Sequence, residues 1–315
     1  MPTRDDQRRG ELTAAQFKAL FEEVSNWGRW GHEDERGALN ELTPDRVAAA
    51  ARLVRSGEAV TLSHRLNTRP GIDNPQPVDH HMTMLADVDV GSGPLRFAKD
   101  YIGLDYHNPP HSHIDAFCHV ALDGALYNGK PSASLTADGA TADAIDVLKN
   151  GLIGRGVLLD VPRLRNVRWL EPGEHAFPDE LEACEREQGT RVGRADVLLV
   201  RTGHARRYSE LGPWDTDKGK AGLHPTCARF LAERDVAALG SDGNSDTAPS
   251  TTEGIEFPIH ALALNAMGVH LLDYLQFEDL ATACERAERW EFLFVAAPLR
   301  IVGGTGSPVN PIAIL

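Results

Sequence analysis

Thirteen residues of this chain carry four histidines and an aspartate: His107, His111, His113, Asp115 and His119. Imidazole nitrogens and carboxylate oxygens are the donors that borderline divalent metals, zinc and manganese among them, accept. On an extended segment alternate side chains share a face. His111, His113, Asp115 and His119 are all odd-numbered, so a strand here would project them the same way. A lone histidine beside prolines is usually a surface residue. Four in phase with an aspartate, interleaved with apolar Ile114, Ala116 and Phe117, point instead to a metal site. Further ligands must come from elsewhere, and His260 and Asp273, near the ends of a helix-to-strand unit, are candidates. His64, His80 and His81 sit near loops and read as pocket or surface residues.

A bound divalent ion lowers the pKa of its water toward about 7 and polarises a carbonyl. That chemistry suits hydrolysis of an amide. An imidazole beside such an ion can accept or return a proton, because an unperturbed one titrates near neutral pH. Asp242 either orients a ligand from behind or caps a loop. Competing nucleophiles fare poorly. No G-x-S-x-G elbow occurs, and Ser307 is followed by Pro308. Cys118 precedes His119, but adjacent strand residues face opposite ways, so it reads as a core thiol. Gly303–Gly306 opens no helix and is no dinucleotide fingerprint. Trp27, Trp30, Phe117, Trp214 and Phe257 either wall an aromatic pocket or pack the core; Trp30 and Phe117 are the substrate-binding candidates. Arg201 or Arg65 could meet a substrate carboxylate, although most arginines make surface ion pairs.

The elements that must position these residues alternate between the two regular periods. Helices are expected at Ala14–Val24, at a segment with Thr43 as N-cap, Pro44 in the first helical position, Val47–Val54 as its body and Gly57 as its terminator, and at Asp179–Glu187, Pro225–Glu233, Pro258–Met267 and Glu278–Trp290. Strands are expected at Ala59–His64, Met82–Val90, His113–Cys118, Gly156–Val161, Val197–Arg201, Val236–Gly240, Phe292–Ala296 and Ile312–Leu315. The apolar runs GVLLDV and DVLLVR read as buried central strands. Residues 67–79 form a long proline-containing loop, a common place for function. The mixture predicts one α/β domain over 1–315, with 1–12 flexible and 13–58 a helical extension.

Composition narrows the function. With 315 residues, 42% of them hydrophobic, the chain can bury a large core. Its net charge of −14 repels phosphate backbones, so nucleic acid is not expected as a partner. The four cysteines, Cys118, Cys184, Cys227 and Cys284, are scattered, which argues against a disulfide framework or a cysteine zinc knuckle. The first residues hold no apolar signal stretch, and no run of about 18 apolar residues exists to span a bilayer. No membrane partner and a cytoplasmic location are expected.

The segment His107-Asn-Pro-Pro-His-Ser-His-Ile-Asp-Ala-Phe-Cys-His119 resembles the H-x-G-T-H-x-D-x-P-x-H signature of the cyclase-like metal hydrolases, which include kynurenine formamidases, isatin hydrolases and proteins named polyketide cyclases. Trp30–Asn40 resembles the W-G-x-x-D-x-x-G-x-x-N element of the family's longer branch. Asp196–Gly203, Gly240–Asp242, Ala297–Leu299 and Gly303–Pro308 are similar to its later segments. The resemblance implies a swivelling β/β/α fold with a mixed sheet and a zinc- or manganese-dependent, arylformamidase-like hydrolase in a homodimer or homotetramer. It places His113 and Asp115 on the central metal ligands, His119 on the acid/base, and His260 and Asp273 on a late ligand pair. The first family histidine falls on Pro109, so the third ligand is His111 by strand phase or His107 if the loop bulges. The expected reaction is cleavage of a C–N bond in a small amide, lactam or N-formyl compound. A cyclase or dehydratase acting on a polyketide-like intermediate, and a binding protein without metal, are the alternatives.

Overall fold

The computed structural model describes residues 10–89, 91 and 93–315. Most of the stretch expected to be flexible, and Val90 at the end of one expected strand, lie outside the described residues.

Nine strands form a curled mixed sheet. Its centre is four parallel strands in sequential order: β5 (Leu152–Asp160), β6 (Val197–Arg201), β7 (Ala238–Ser241) and β8 (His270–Asp273). Antiparallel strands extend both sides. Beyond β5 lie β9 (Glu291–Ala296), β11 (Ile312–Ile314) and β1 (Ala59–Thr61); beyond β8 lie β4 (His113–Asp115) and β10 (Gly306–Pro308). β2 (Asp79–Met84) and β3 (Lys99–Gly103) form a separate exposed hairpin.

The apolar central runs are explained by burial on both faces. In β5 Val157 and Leu159 face one core and Leu158 the other; in β6 Leu198 and Val200 oppose Val197 and Leu199. The first core is covered by α1 (Ala14–Val24), α2 (Pro178–Gln188) and α3 (Cys227–Arg234). α4 (Pro258–His260), continued by a π-helix over Ala261–Met267, covers the same face. The second core is closed by α5 (Glu278–Ala287). α1 starts where expected, because Thr13 Oγ1 accepts the Gln16 N–H and Gln16 Oε1 accepts the Thr13 N–H.

Two expected elements change shape near the site, and two expected helices end early elsewhere. The strand expected over His113–Cys118 ends at Asp115, and Phe117–His119 is a 3-10 turn closed by the His119 N–H on the Ala116 carbonyl. The Cys118 N–H is captured by the Asp143 carbonyl, which pulls the chain off the sheet line. The helix expected over Pro258–Met267 is one piece, but most of it has π geometry, a rare form that is frequent at functional sites. The helix capped by Thr43, with a body expected over Val47–Val54, ends at Ala51, and the one expected to reach Trp290 ends at Ala287, where Glu288 turns left-handed. The β2–β3 pairing and the helix His204–Leu211 have no counterpart in the sequence reading.

Candidate metal centre

The site is built where the parallel sheet turns antiparallel. β4 pairs with β8 so that His113 lies opposite Asp273 and Ile114 opposite Leu272. Ile114 and Leu272 enter the second core, so His113, Asp115 and Asp273 project together from the other face. The turn after β4 swings His119 back toward Asp115. A second turn, closed by the His111 N–H on the Asn108 carbonyl, folds His107 over the same carboxylate. The His107 and His119 rings stack at 3.9 Å, with planes only 4° apart. His260 arrives from the first turn of α4.

Asp115 is at the centre. It is fully buried, and among the described residues no donor meets either carboxylate oxygen in full hydrogen-bond geometry. Around it stand His107 Nδ1 at 3.0 Å, His113 Nε2 at 3.4 Å and His260 Nε2 at 3.6 Å. His260 Nε2 is also 3.3 Å from Asp273 Oδ2. A buried carboxylate with orphaned oxygens is expensive unless a cation satisfies it. Two sets of donor atoms lie within 4.8 Å of one another: His107, Asp115 and His119, and His113, Asp115 and Asp273. Asp115 belongs to both. The donor set therefore fits a divalent metal.

The surroundings fix which nitrogens face inward. The His113 Nδ1–H donates to the His111 carbonyl at 2.7 Å, leaving Nε2 toward Asp115. His260 Nδ1–H donates to Asp246 Oδ2 at 2.5 Å, leaving its Nε2 toward Asp115 and Asp273. Asp246 also accepts the Ile259 and His260 N–H groups, so one carboxylate caps α4 and orients its histidine. Ser245 Oγ donates to Asp273 Oδ1 at 3.2 Å.

Electrostatics follow the same layout. Burial would raise the Asp115 pKa, but His113, His119, His107 and His260 together pull it well below the usual carboxylate range. Burial disfavours charge on His260, yet the hydrogen bonds and charges of Asp246 and Asp273 outweigh it and raise its pKa well above the usual value. With Nδ1–H given to Asp246, that extra proton falls on Nε2, where a metal would compete with it. Burial pushes His119 down to about 4, so it is a neutral base at pH 7. A cavity of about 480 Å³ is lined by His107, His113, His119, His260 and Asp273.

The sequence pattern described as "Putative cyclase" matches residues 43–246, about two thirds of the chain. The chain belongs to this cyclase family. A crystal structure of a novel cyclase is 31% identical, with a TM-score of 0.85 over 94% of this chain and 99% of that one. An isatin hydrolase bound to the product analogue thioisatinate is 21% identical, with a TM-score of 0.58 over 88% and 97% of the two chains. A predicted metal-dependent hydrolase from Bacillus stearothermophilus is 16% identical, with a TM-score of 0.51 over 81% and 97%. The last two share the fold. No curated protein matches the chain.

Within this cyclase-family chain, six of the nine expected site residues come together: His107, His113, Asp115, His119, His260 and Asp273. His111 does not join them. It precedes β4 in a turn, so strand phase does not apply, and its buried ring lies by the Gln76 backbone. The loop bulge instead delivers His107. Phe117 does not line the cavity. It is fully buried, stacked on His270 at 4.1 Å and packed on Tyr127. Trp30 is also remote, sandwiched by Arg29 at 4.6 Å against the first core. Its element, Trp30–Asn40, is a clamp. Asp34 accepts the Gly37 N–H and the Asn40 amide, and Gly37 presses on Gly268 so closely that a Cβ would sit 2.2 Å from its carbonyl oxygen.

Asp242 takes the capping role, accepting N–H groups from Thr202, Gly203 and His204. Arg201 is buried between Asp160 and Glu278, away from the cavity. Cys118 is buried with its thiol pushed up to about 12 by burial. His80 and His81 are exposed on the hairpin, while His64 and Arg65 line a second, smaller cavity. Among the described residues, no helix is long and apolar enough to cross a membrane. The residues the sequence missed are Asp246, Ser245 and Lys220. Nothing local marks them, because each acts across a fold-closing distance.

Proposed function

We propose that the chain is a metal-dependent hydrolase that cleaves the C–N bond of a small amide, lactam or N-formyl compound. The observation that carries this reading is Asp115: a fully buried carboxylate ringed by histidine nitrogens, directly behind a cavity that His107, His113, His119, His260 and Asp273 line. The names of two fold relatives, an isatin hydrolase and a predicted metal-dependent hydrolase, support it.

His113, Asp115, Asp273 and His260 would hold a divalent ion, zinc or manganese by donor type. When bound, such an ion supplies an activated water and a polarised carbonyl. The chain's own residues supply the rest. Asp246 holds the His260 proton on Nδ1, and the His111 carbonyl holds the His113 proton on Nδ1. His119, kept neutral by burial, accepts a proton from the nucleophile and returns it to the departing nitrogen. His107, held by Thr305 Oγ1 at 3.0 Å and stacked flat on His119, fixes that ring's plane. The cyclase name of the matched family favours the second reading, in which the same centre acts on a polyketide-like carbonyl without net hydrolysis.

Metal content by plasma mass spectrometry, paired with assays on isatin and N-formylkynurenine, tests the proposal. Wild type should carry one or two equivalents of metal and hydrolyse at least one substrate. His113→Ala and His107→Ala should each lose activity, whereas His111→Ala should keep its metal. Metal-free wild type after reloading, or metal with no turnover of either compound, sinks the hydrolase reading.

The same reading includes a second copy of the chain. The β2–β3 hairpin and the segment joining its strands expose Met82, Leu85, Leu95, Phe97, Tyr101 and Ile102. A two-stranded ribbon with bare apolar side chains is marginal alone, and such patches mark association surfaces. Light scattering should give a dimer or tetramer mass; a monomer at micromolar concentration would remove this part.

A further inference from the structure

One buried cation in the cavity has no role in holding the metal ligands. Lys220 is 2% exposed and lines the same cavity as His119, His260 and Asp273. It is the one lysine or arginine among the described residues lining that space. Its backbone is clamped to Ala248 by a pair of hydrogen bonds, of 3.1 and 3.0 Å, so the side chain is held at this wall. Among the described residues no carboxylate comes within 4.0 Å of its ammonium group, which instead sits 5.3 Å from the ring centroid of Phe257.

Such a placement is costly. Burial pushes the lysine pKa down, and only the more distant charges of Asp246, Asp217, Asp273 and Glu256 pull it back. Buried ammonium groups are ordinarily paired. Lys220 and Phe257 stand at the border of this cavity and a neighbouring one of about 400 Å³ that also runs past Thr247–Ser250; the described chain offers the ammonium group no carboxylate partner in either, and of the two only the first holds the histidine cluster. Phe257, 41% exposed, forms an apolar wall beside it.

We propose that Lys220 anchors a carboxylate on the substrate, with Phe257 flanking the apolar body that carries it. The substrate class then narrows to small amides or N-formyl compounds bearing a permanent anion some distance from the scissile C–N bond. This rests on the cavity being the active site. Lys220 is a specificity residue in this scheme: it attracts the bound anion before any bond changes.

The test uses a matched pair of probes, benzoate and benzamide, which share a ring and differ in charge. Binding to manganese-loaded wild type, Lys220→Met and Lys220→Arg is measured by calorimetry, with manganese content checked in each. Benzoate should bind wild type better than benzamide does. Lys220→Met should weaken benzoate by about ten- to hundred-fold, the usual loss for a hydrogen bond to a charged group, and leave benzamide unchanged. Lys220→Arg should restore most of the preference. The methionine variant should melt no lower than wild type, since it relieves an unpaired buried charge. Equal losses for both probes, an unchanged benzoate affinity, or no benzoate binding to wild type overturns the proposal. Failure of the hydrolase reading shows separately, as missing metal or missing turnover in protein whose benzoate preference still depends on Lys220.

Discussion

Asp246→Asn isolates the orientation of a metal ligand from its presence. Asp246 uses one oxygen for the Ile259 N–H at 2.6 Å and the other for the His260 N–H and Nδ1–H. Asparagine offers one oxygen and one NH2. Keeping the tighter cap bond to Ile259 turns the NH2 against His260 Nδ1, which must then give up its proton to accept. The proton moves to Nε2, the atom that faces Asp115 and Asp273, and that atom can no longer ligate. Loss of a partner that orients a metal-binding histidine lowers affinity by about 10- to 100-fold, or about 1.4–2.7 kcal/mol. The weakened cap costs about 1 kcal/mol of stability in addition. Zinc dissociation constants from chelator competition read the first effect, and urea unfolding of the metal-free protein reads the second. Asp242→Asn is the contrast. Its carboxylate caps Thr202–His204 and touches no metal histidine, so it should lose stability with zinc affinity intact. Wild-type zinc affinity in Asp246→Asn, or equal zinc losses in both variants, refutes the reasoning.

Two further outcomes follow from buried groups outside the centre. The Asp143 carboxyl is buried with neither oxygen hydrogen-bonded, and burial, then the charge of Glu35, raises it to about 7. Below about pH 4 the folded and unfolded chains are both protonated there. As pH rises to about 7 the unfolded chain releases its proton first, so this group erodes stability across that window and no further above it. Asp143→Asn should therefore melt higher than wild type by a margin that grows from pH 5 to pH 7 and then levels; the same margin at pH 5 and pH 8 refutes the assignment. Phe117→Ala should cost about 3–5 kcal/mol in urea unfolding, because the ring is fully buried between His270 and Tyr127. A small stability loss with a large change in substrate KM would return Phe117 to the pocket wall.

Much of this protein was legible from local pattern. The runs Val157–Leu159 and Val197–Val200 declare strands buried on both faces, because each residue needs an apolar neighbour above and below the sheet. The apolar face of Phe17, Leu20, Phe21 and Val24 marks α1 by its helical period. His113 and Asp115 are readable for the same reason, since a spacing of two on a strand puts side chains together whatever surrounds them. The exposed hairpin was poorly readable because side chains in water on both faces leave no alternation to find.

What only the tertiary structure decided is which residues meet. Strand phase extended beyond His113–Asp115 treats His111 and His119 alike; both lie in turns that flank the three-residue strand, and only His119 returns to the carboxylate. Phe117 and Trp30 carry the same aromatic bodies in a core or in a pocket, and nothing in their types separates the two. Asp246 reaches His260 across 14 residues, and Lys220 reaches the cavity through its pairing with Ala248. Local sequence specifies the period of each element, because that depends on neighbours a few residues away. The register of β4 on β8, which sets His113 beside Asp273, depends on how two cores close at once.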